Sequence, residues 1–163
     1  MFSPEVRVLL EAYDQGYDRK SWHGINLRGS LRGISAKQAA WRPARGRHNI
    51  WEIALHAAYW KYVVLRVLSG AKRGSFPLEG SNWFERPKGR TEAAWRGDLA
   101  LLDATHRSLR EAIATTDPKS LRRAATGKKT TRLALISGVA AHDLYHAGQI
   151  QLLKRLAPKG RPR

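Results

Sequence analysis

The chain has 163 residues, a length that suits a single domain with its own hydrophobic core. It contains no cysteine, which excludes disulfide bonds and thiolate metal sites, so histidine, carboxylate or water must hold any metal ion. Its 30 Lys and Arg residues against 13 Asp and Glu residues give a net charge of +17. Such a charge attracts nucleic acid, anionic membranes and acidic small molecules without choosing among them, and it also serves solubility alone.

The N-terminal segment carries charges at Glu5, Arg7 and Glu11, where a signal peptide has an uninterrupted apolar stretch. No window approaches the roughly 18 consecutive apolar residues that a membrane helix needs. We therefore expect a cytoplasmic protein that does not insert into a membrane. The basic residues are clustered, since residues 19–51 hold eight of them and no acidic residue.

The first predicted helix begins after Ser3, a capping residue that is followed by proline at the first helical position. Apolar residues at helical spacing continue the pattern to Tyr17. Further along, Ser35 and Gln38 have the spacing of a capping box. They predict a short helical turn that ends before Pro43.

The second predicted helix begins after Asn49, which pairs with Glu52 as a capping box, and it ends at Gly70. A connection rich in glycine and proline follows over residues 70–90. A connection of this length is uncommon in a compact domain, and it indicates either a functional segment or a strap that crosses the bundle.

The third predicted helix begins at Thr91 and ends before Asp117, and the fourth begins at Thr130 or Thr131 and ends near Leu156. Four amphipathic helices bury their apolar faces best against one another, which predicts an all-α four-helix bundle. The long second connection indicates that the helices do not simply alternate up and down. We expect one domain over residues 1–157, followed by a basic C-terminal tail over residues 158–163.

His142 and His146 are four residues apart in the fourth helix, so both imidazoles lie on one face and can converge on one ion. Taken alone this spacing is a modest signal. Two neighbours strengthen it. Gly138 removes side-chain bulk one turn before His142, and Gln149 can hydrogen-bond a ligand ring. Gly148, in contrast, is interpreted as a contact for close helix packing.

A third ligand has to come from another helix, and His56 on the apolar face of the second helix is the best candidate. A lone histidine on such a face is more often an ordinary core residue, but here a facing helix offers a matching pair. His23 and His48 are expected to be exposed polar residues, and His106 is a weaker ligand candidate. Glu52 could add a fourth ligand, although its capping position favours a structural role.

The segments WEIALHAAYW and HDLYHAGQI, about 85 residues apart, resemble the DinB-like family. Its superfamily also contains YfiT-type metal proteins and mycothiol- or bacillithiol-dependent S-transferases. The segment ISAKQAAWRP, the Asn82–Trp83 pair and the pair at residues 94–95 extend the resemblance over nearly the whole chain. The resemblance implies a four-helix bundle with up-down-down-up connectivity. It also implies a three-histidine site for nickel, zinc or iron, whose ligands fall on His56, His142 and His146.

These features favour a metal-dependent transferase or hydrolase, and the resemblance points to thiol S-transfer with a small anionic or thiol substrate. No catalytic residue is assigned. The alternative from another class is a basic, stress-associated protein that binds nucleic acid without specificity. The sequence lacks a helix-turn-helix or zinc-finger motif that would support sequence-specific reading. A homodimer is compatible with the sequence, and a stable metal-binding fold without a reaction is a third interpretation.

We further expect the metal ion to face a cleft that solvent can reach, walled by the connection over residues 70–90. Phe76, Trp83 and Phe84 in this connection are suited to lining an apolar pocket. The simpler interpretation is that these aromatic side chains close one end of the bundle. Tyr145 is expected to be packed in the core.

Overall fold

A computed structural model describes residues 2–86, 89, 91–125, 127 and 129–158. Four long helices account for most of them, joined by two short helices and one 3-10 turn. In chain order the elements are α1 (Pro4–Tyr17), α2 (Leu27–Ser30), α3 (Ala36–Ala39), α4 (Ile50–Ser69), α5 (Glu92–Ala114), the turn Pro118–Ser120 and α6 (Arg132–Leu156). The described residues form no strand, so the predicted all-α fold is confirmed.

Local chemistry sets the helix boundaries where the sequence predicts them. The side chain of Ser3 accepts a hydrogen bond from the first turn of α1. Asn49 and Glu52 form the predicted capping box of α4, and Gly70 ends that helix with a left-handed φ of 70°. Thr131 caps α6, whose last turn carries basic residues that suit the negative end of the helix dipole.

The four long helices pack so that α4 contacts both α5 and α6, and α1 contacts the same two helices from the other side. Side-chain pairs give the relative directions. Asp14 of α1 binds Arg110 of α5, whereas Tyr17 binds Asp103, so these two helices run antiparallel. The complete up-down-down-up order stays a prediction.

Two apolar clusters form the core, one around Trp51 and Trp95 and the other around Leu109 and Ile136. The predicted tail lies outside the described residues except for Pro158, and the division at residue 157 stays a prediction. Among the described helices, none has both the length and the apolar character needed to cross a membrane.

Candidate metal centre

Three histidines from α4 and α6 converge on one point. His56 lies in the second turn of α4, while His142 and His146 lie one turn apart on α6. Nε2 of His142 is 3.1 Å from Nε2 of His56 and 3.0 Å from Nε2 of His146. The structure therefore brings the three predicted ligands together, with one nitrogen of each within 4.8 Å of the others.

A divalent ion fits between these nitrogens. A tetrahedral zinc ion at about 2.0–2.1 Å from each nitrogen would hold its ligands about 3.3 Å apart. The observed separations of 3.0 and 3.1 Å are close to this value. Imidazole nitrogen is a suitable ligand for zinc, nickel and iron alike. The group could therefore hold a metal ion.

Two of the three rings form hydrogen bonds through Nδ1, on the side away from the cluster. Their Nε2 atoms are therefore free to bind a metal ion. His56 Nδ1 donates to the carbonyl oxygen of Asn82 at 2.8 Å, and His146 Nδ1 donates to Gln149 Oε1 at 2.7 Å. Because both acceptors are oxygens without a proton, each Nδ1 carries the ring hydrogen and each Nε2 keeps its lone pair. The predicted contact of Gln149 with a ligand ring is confirmed. The Nδ1 atom of His142 is buried without a partner among the described residues.

All three imidazoles are neutral at pH 7. Burial, together with the nearby His146 and His56, lowers the pKa of His142 to about 3. Burial also lowers the pKa of His146 to about 4, against the opposing effect of the bond to Gln149. The pKa of His56 is lowered as well, chiefly by burial. Neutral imidazole is the form that binds a metal ion, so no proton has to be displaced at neutral pH.

The residues Asn82 and Trp83 support His56 from the connection between α4 and α5. Asn82 has a positive φ of 64°, a conformation that asparagine tolerates better than most residues. Its Oδ1 also accepts a bond of 2.9 Å from Trp60 Nε1. Trp83 stacks on the His56 ring with centroids 3.8 Å apart, and His48 stacks on Trp83 at 3.5 Å. Strained backbone of this kind is concentrated at functional sites.

A groove of about 510 Å³ opens beside the histidine cluster, between α4 and α6. His56, His142, Trp60 and Asn82 contribute to its walls. Gly138 also lines it, and a Cβ atom at this position would meet no atom within 4 Å. The glycine therefore leaves the groove open one turn from His142, as predicted.

The chain was compared with protein families, curated proteins and solved structures. The model of the DinB superfamily matches residues 21–150, which is most of the chain and includes the three histidines of the cluster. The chain belongs to the DinB superfamily. No curated protein and no solved structure matches it. The fold and the histidine cluster described above are therefore those of a DinB-superfamily protein.

The predicted wall of the cleft is wrong in part. Among the described residues of the connection, Asn82 alone lines the groove beside the histidines. Phe84 is buried in the core, and Phe76 packs against it and against Tyr59, at 5.3 Å in both cases. These rings bury more apolar surface by packing on α4 than by lining an open groove. Tyr59 and Phe76 border a second cavity, of about 670 Å³, between α4 and the connection.

The other candidate ligands lie away from the cluster. Glu52 forms an ion pair with Arg42, bonds His48 Nδ1 at 3.0 Å and completes the capping box, so its structural role is confirmed. The pKa of Glu52 is lowered because these hydrogen bonds outweigh the opposing effect of burial. His23 is exposed as predicted, and His106 is buried between the rings of Tyr13 and Tyr17.

Two smaller expectations are wrong. Tyr145 has 64% of its surface exposed, because it lies on the outer face of α6. Gly148 does not serve close packing, since a Cβ atom there would meet no atom within 4 Å. Both residues are on a face of α6 that no other described helix covers, and helical periodicity alone does not distinguish this face from the buried one.

Sequence reasoning missed a buried ion pair that links the two ligand-bearing helices. Lys61 of α4 pairs with Asp143 of α6, and both side chains are fully buried. Burial raises the pKa of Asp143 to about 6 and lowers the pKa of Lys61, while their mutual attraction opposes both shifts. The sequence offers only a partial signal, because Lys61 interrupts the apolar face of α4 but nothing local indicates that it meets Asp143.

Proposed function

We propose that this chain binds one divalent metal ion through His56, His142 and His146 and acts as a metal-dependent transferase or hydrolase. The observation that carries the proposal is the convergence of three neutral nitrogens beside an open groove. Three protein ligands leave coordination positions for water or substrate, which is typical of catalytic sites rather than structural ones.

Among these reactions we favour transfer of a group to the sulfur of a thiol. A bound divalent ion would lower the pKa of a thiol, or of water in a hydrolase, so that a nucleophile is present near neutral pH. The sulfur then bonds to an electrophilic carbon, the leaving group departs with the bonding electrons, and the thiol proton goes to solvent. Membership of the DinB superfamily supports this choice, as do the open groove and the neutral histidines.

The chain's own residues orient the site and restrict access to it. Asn82 and Gln149 fix two imidazole rings through their Nδ1 atoms. Trp83 covers the His56 ring and excludes water from that side. Nickel, zinc and iron are all compatible with three imidazole ligands, so the identity of the ion is part of the proposal.

A direct test measures thiol transfer with simple reagents. Protein loaded with zinc or nickel is mixed with mercaptoethanol and chlorodinitrobenzene, and the absorbance of the thioether product is followed. We expect a rate above that of the free metal ion, and its loss in His142→Ala. A rate that is the same in the wild type and in His142→Ala would reject the proposed transferase, and hydrolysis of a nitrophenyl ester would then test the hydrolase.

The nucleic-acid alternative rests on the net charge of +17 alone and stays a prediction. A homodimer likewise stays a prediction. If electrostatics alone drives nucleic-acid binding, the affinity falls steeply with salt and shows no sequence preference.

A further inference from the structure

The groove beside the histidines differs sharply in character from the rest of the protein. The chain carries 30 basic residues, yet among the described residues that line the groove there is no Lys, Arg, Asp or Glu. Its polar groups lie mainly at the histidine end, where His56, His142 and Asn82 contribute. An ionised group placed elsewhere in this groove would lose hydration without gaining a partner, which is unfavourable.

The long wall of the groove is aliphatic because two helical faces run along it in register. On α4 the face continues from His56 through residues at intervals of three or four, and on α6 it continues backwards from His142 in the same manner. The aliphatic side chains are Val63, Val64, Val67, Ala134, Leu135 and Val139. Thr130 lies at the far end, twelve residues before His142, so the groove is about 15–20 Å long at the helical rise per residue.

We propose that this groove binds an uncharged, apolar group of the substrate, such as an alkyl chain or an aromatic ring, with the reacting atom at the histidine end. This inference rests on the proposed function and names the class of the second substrate. The arrangement separates the two reactants. The nucleophile binds at the histidines, while the apolar part of the electrophile lies along the valines. A volume of about 510 Å³ suits a small organic molecule.

Gly138 is the residue that makes the groove accessible. It lies on the groove wall one turn from His142, and a Cβ atom there would enter open space. A leucine at this position would have its Cβ in open space on the groove wall, would narrow the groove and would also favour the helix. Gly148, on the outer face of the same helix, has equally open surroundings and does not line the groove, so it provides a matched control.

The experiment uses two fluorescent probes with one skeleton, the neutral N-phenyl-naphthylamine and its sulfonated analogue anilinonaphthalene sulfonate. Each is titrated into the wild type, Gly138→Leu and Gly148→Leu, with helix content and thermal unfolding checked by circular dichroism. We expect the neutral probe to bind the wild type and Gly148→Leu equally, and to bind Gly138→Leu about tenfold more weakly or worse. We expect the sulfonated probe to respond to salt and to be insensitive to Gly138→Leu.

Two results would overturn the inference. One is equal binding of the neutral probe to all three proteins, which means that it does not use the groove. The other is an equal loss in Gly148→Leu, which means that it binds the exposed face of α6. A stronger effect of Gly138→Leu on the sulfonated probe would instead indicate an anionic ligand and would also reject the inference.

The inference and the proposed function can fail separately. Binding of the neutral probe is measured without added metal, in the wild type and in His146→Ala, because His146 does not line the groove. We expect the affinity to change less than twofold between them. A wild type that binds the probe but no metal ion would reject the proposed function alone, whereas a wild type that binds the metal ion but not the probe would reject the groove.

Discussion

Helices α4 and α6 share two buried polar clusters that differ in charge: one is made of neutral groups and the other is an ion pair. In the first, His56, His142 and His146 bring three neutral bases together. In the second, Lys61 and Asp143 bring a cation and an anion together where no solvent reaches them. His142 and Asp143 are neighbours in sequence, but a helix rotates successive residues by about 100°, so they enter different clusters.

The difference indicates which cluster is suited to an external ligand. Lys61 and Asp143 neutralise each other, and the ammonium also lies 4.6 and 4.9 Å from the ring centroids of Tyr13 and Tyr17. The ion-pair cluster therefore balances its own charge within the protein, although Asp143 Oδ1 has no hydrogen-bond partner among the described residues. The histidine cluster has no acidic partner among the described residues, Nε2 of His56 and of His146 each keeps a lone pair, and one side is open to the groove. The cluster is therefore the one that could accept a ligand from outside the protein.

Removing one charge of the ion-pair cluster should give the largest effect on stability. Lys61→Met leaves Asp143 buried and uncompensated, and we expect the free energy of unfolding to fall by about 3–5 kcal/mol. The double variant Lys61→Met/Asp143→Leu should recover most of this loss, because no buried charge remains. Urea unfolding measures both. Arg110→Met, which breaks a partly exposed pair with Asp14, is the control, with an expected loss of about 1 kcal/mol or less.

A loss in Lys61→Met no larger than that in Arg110→Met would contradict this description of the ion-pair cluster. The buried pair would then tolerate the loss of one charge, and mutual neutralisation would not be what stabilises it.

A smaller effect is expected where the histidine cluster is held in place. Gln149→Ala removes the acceptor of the His146 Nδ1–H bond, and we expect metal affinity to fall about 10- to 100-fold. The free energy of unfolding should fall by about 1 kcal/mol, because Gln149 is half-buried and the buried His146 Nδ1–H loses its acceptor. Calorimetric metal titration measures the affinity. Gln151→Ala, rotated by about 200° on the same helix, is the control, and equal affinities in the two variants would count against the positioning role.

The smallest expected effect is on the pH dependence of stability. It concerns His106, which stacks on the two tyrosine rings beside Lys61. Burial, together with the nearby cations Lys61, Arg110 and Arg107, lowers the pKa of His106 to about 2. In the unfolded chain this pKa is about 6.5, so below that pH only the unfolded state takes up the proton. The stability that neutral His106 allows is therefore complete above about pH 6.5 and is lost progressively as the pH falls toward 2.

Replacing His106 by phenylalanine keeps a ring between Tyr13 and Tyr17 and removes the titrating group. We expect urea unfolding to show that His106→Phe loses about 1–2 kcal/mol less stability than the wild type between pH 7 and pH 5. Contributions that are common to both proteins cancel in the comparison. Parallel pH profiles would show that His106 does not resist protonation in the folded state.

Much of the fold and of the histidine cluster was predictable because local patterns encode them. Capping residues and apolar periodicity located the four long helices, and the four-residue spacing placed His142 and His146 on one face. His56 followed because its face was apolar and needed a partner helix. Gln149 followed from its position one turn after His146.

The remaining features depend on contacts between distant segments, which periodicity does not encode. Nothing local in the sequence shows that Lys61 meets Asp143, or that Trp83 stacks between residues of two different segments. The apolar groove could not be predicted either, because valines on a helix face indicate burial in the core and not the wall of an open groove. Such features require the packing of α4 against α6 to be known.

The central claim is that the histidine cluster is one preorganised site for a single divalent ion. Calorimetric titration of metal-free protein with zinc, at neutral pH and without an affinity tag, tests it most directly. We predict close to one ion per chain for the wild type, a steep loss of affinity in His56→Ala, His142→Ala and His146→Ala, and no change in His23→Ala, whose residue is exposed and remote. Binding well below one ion per chain, or an equal loss in His23→Ala, would contradict the claim.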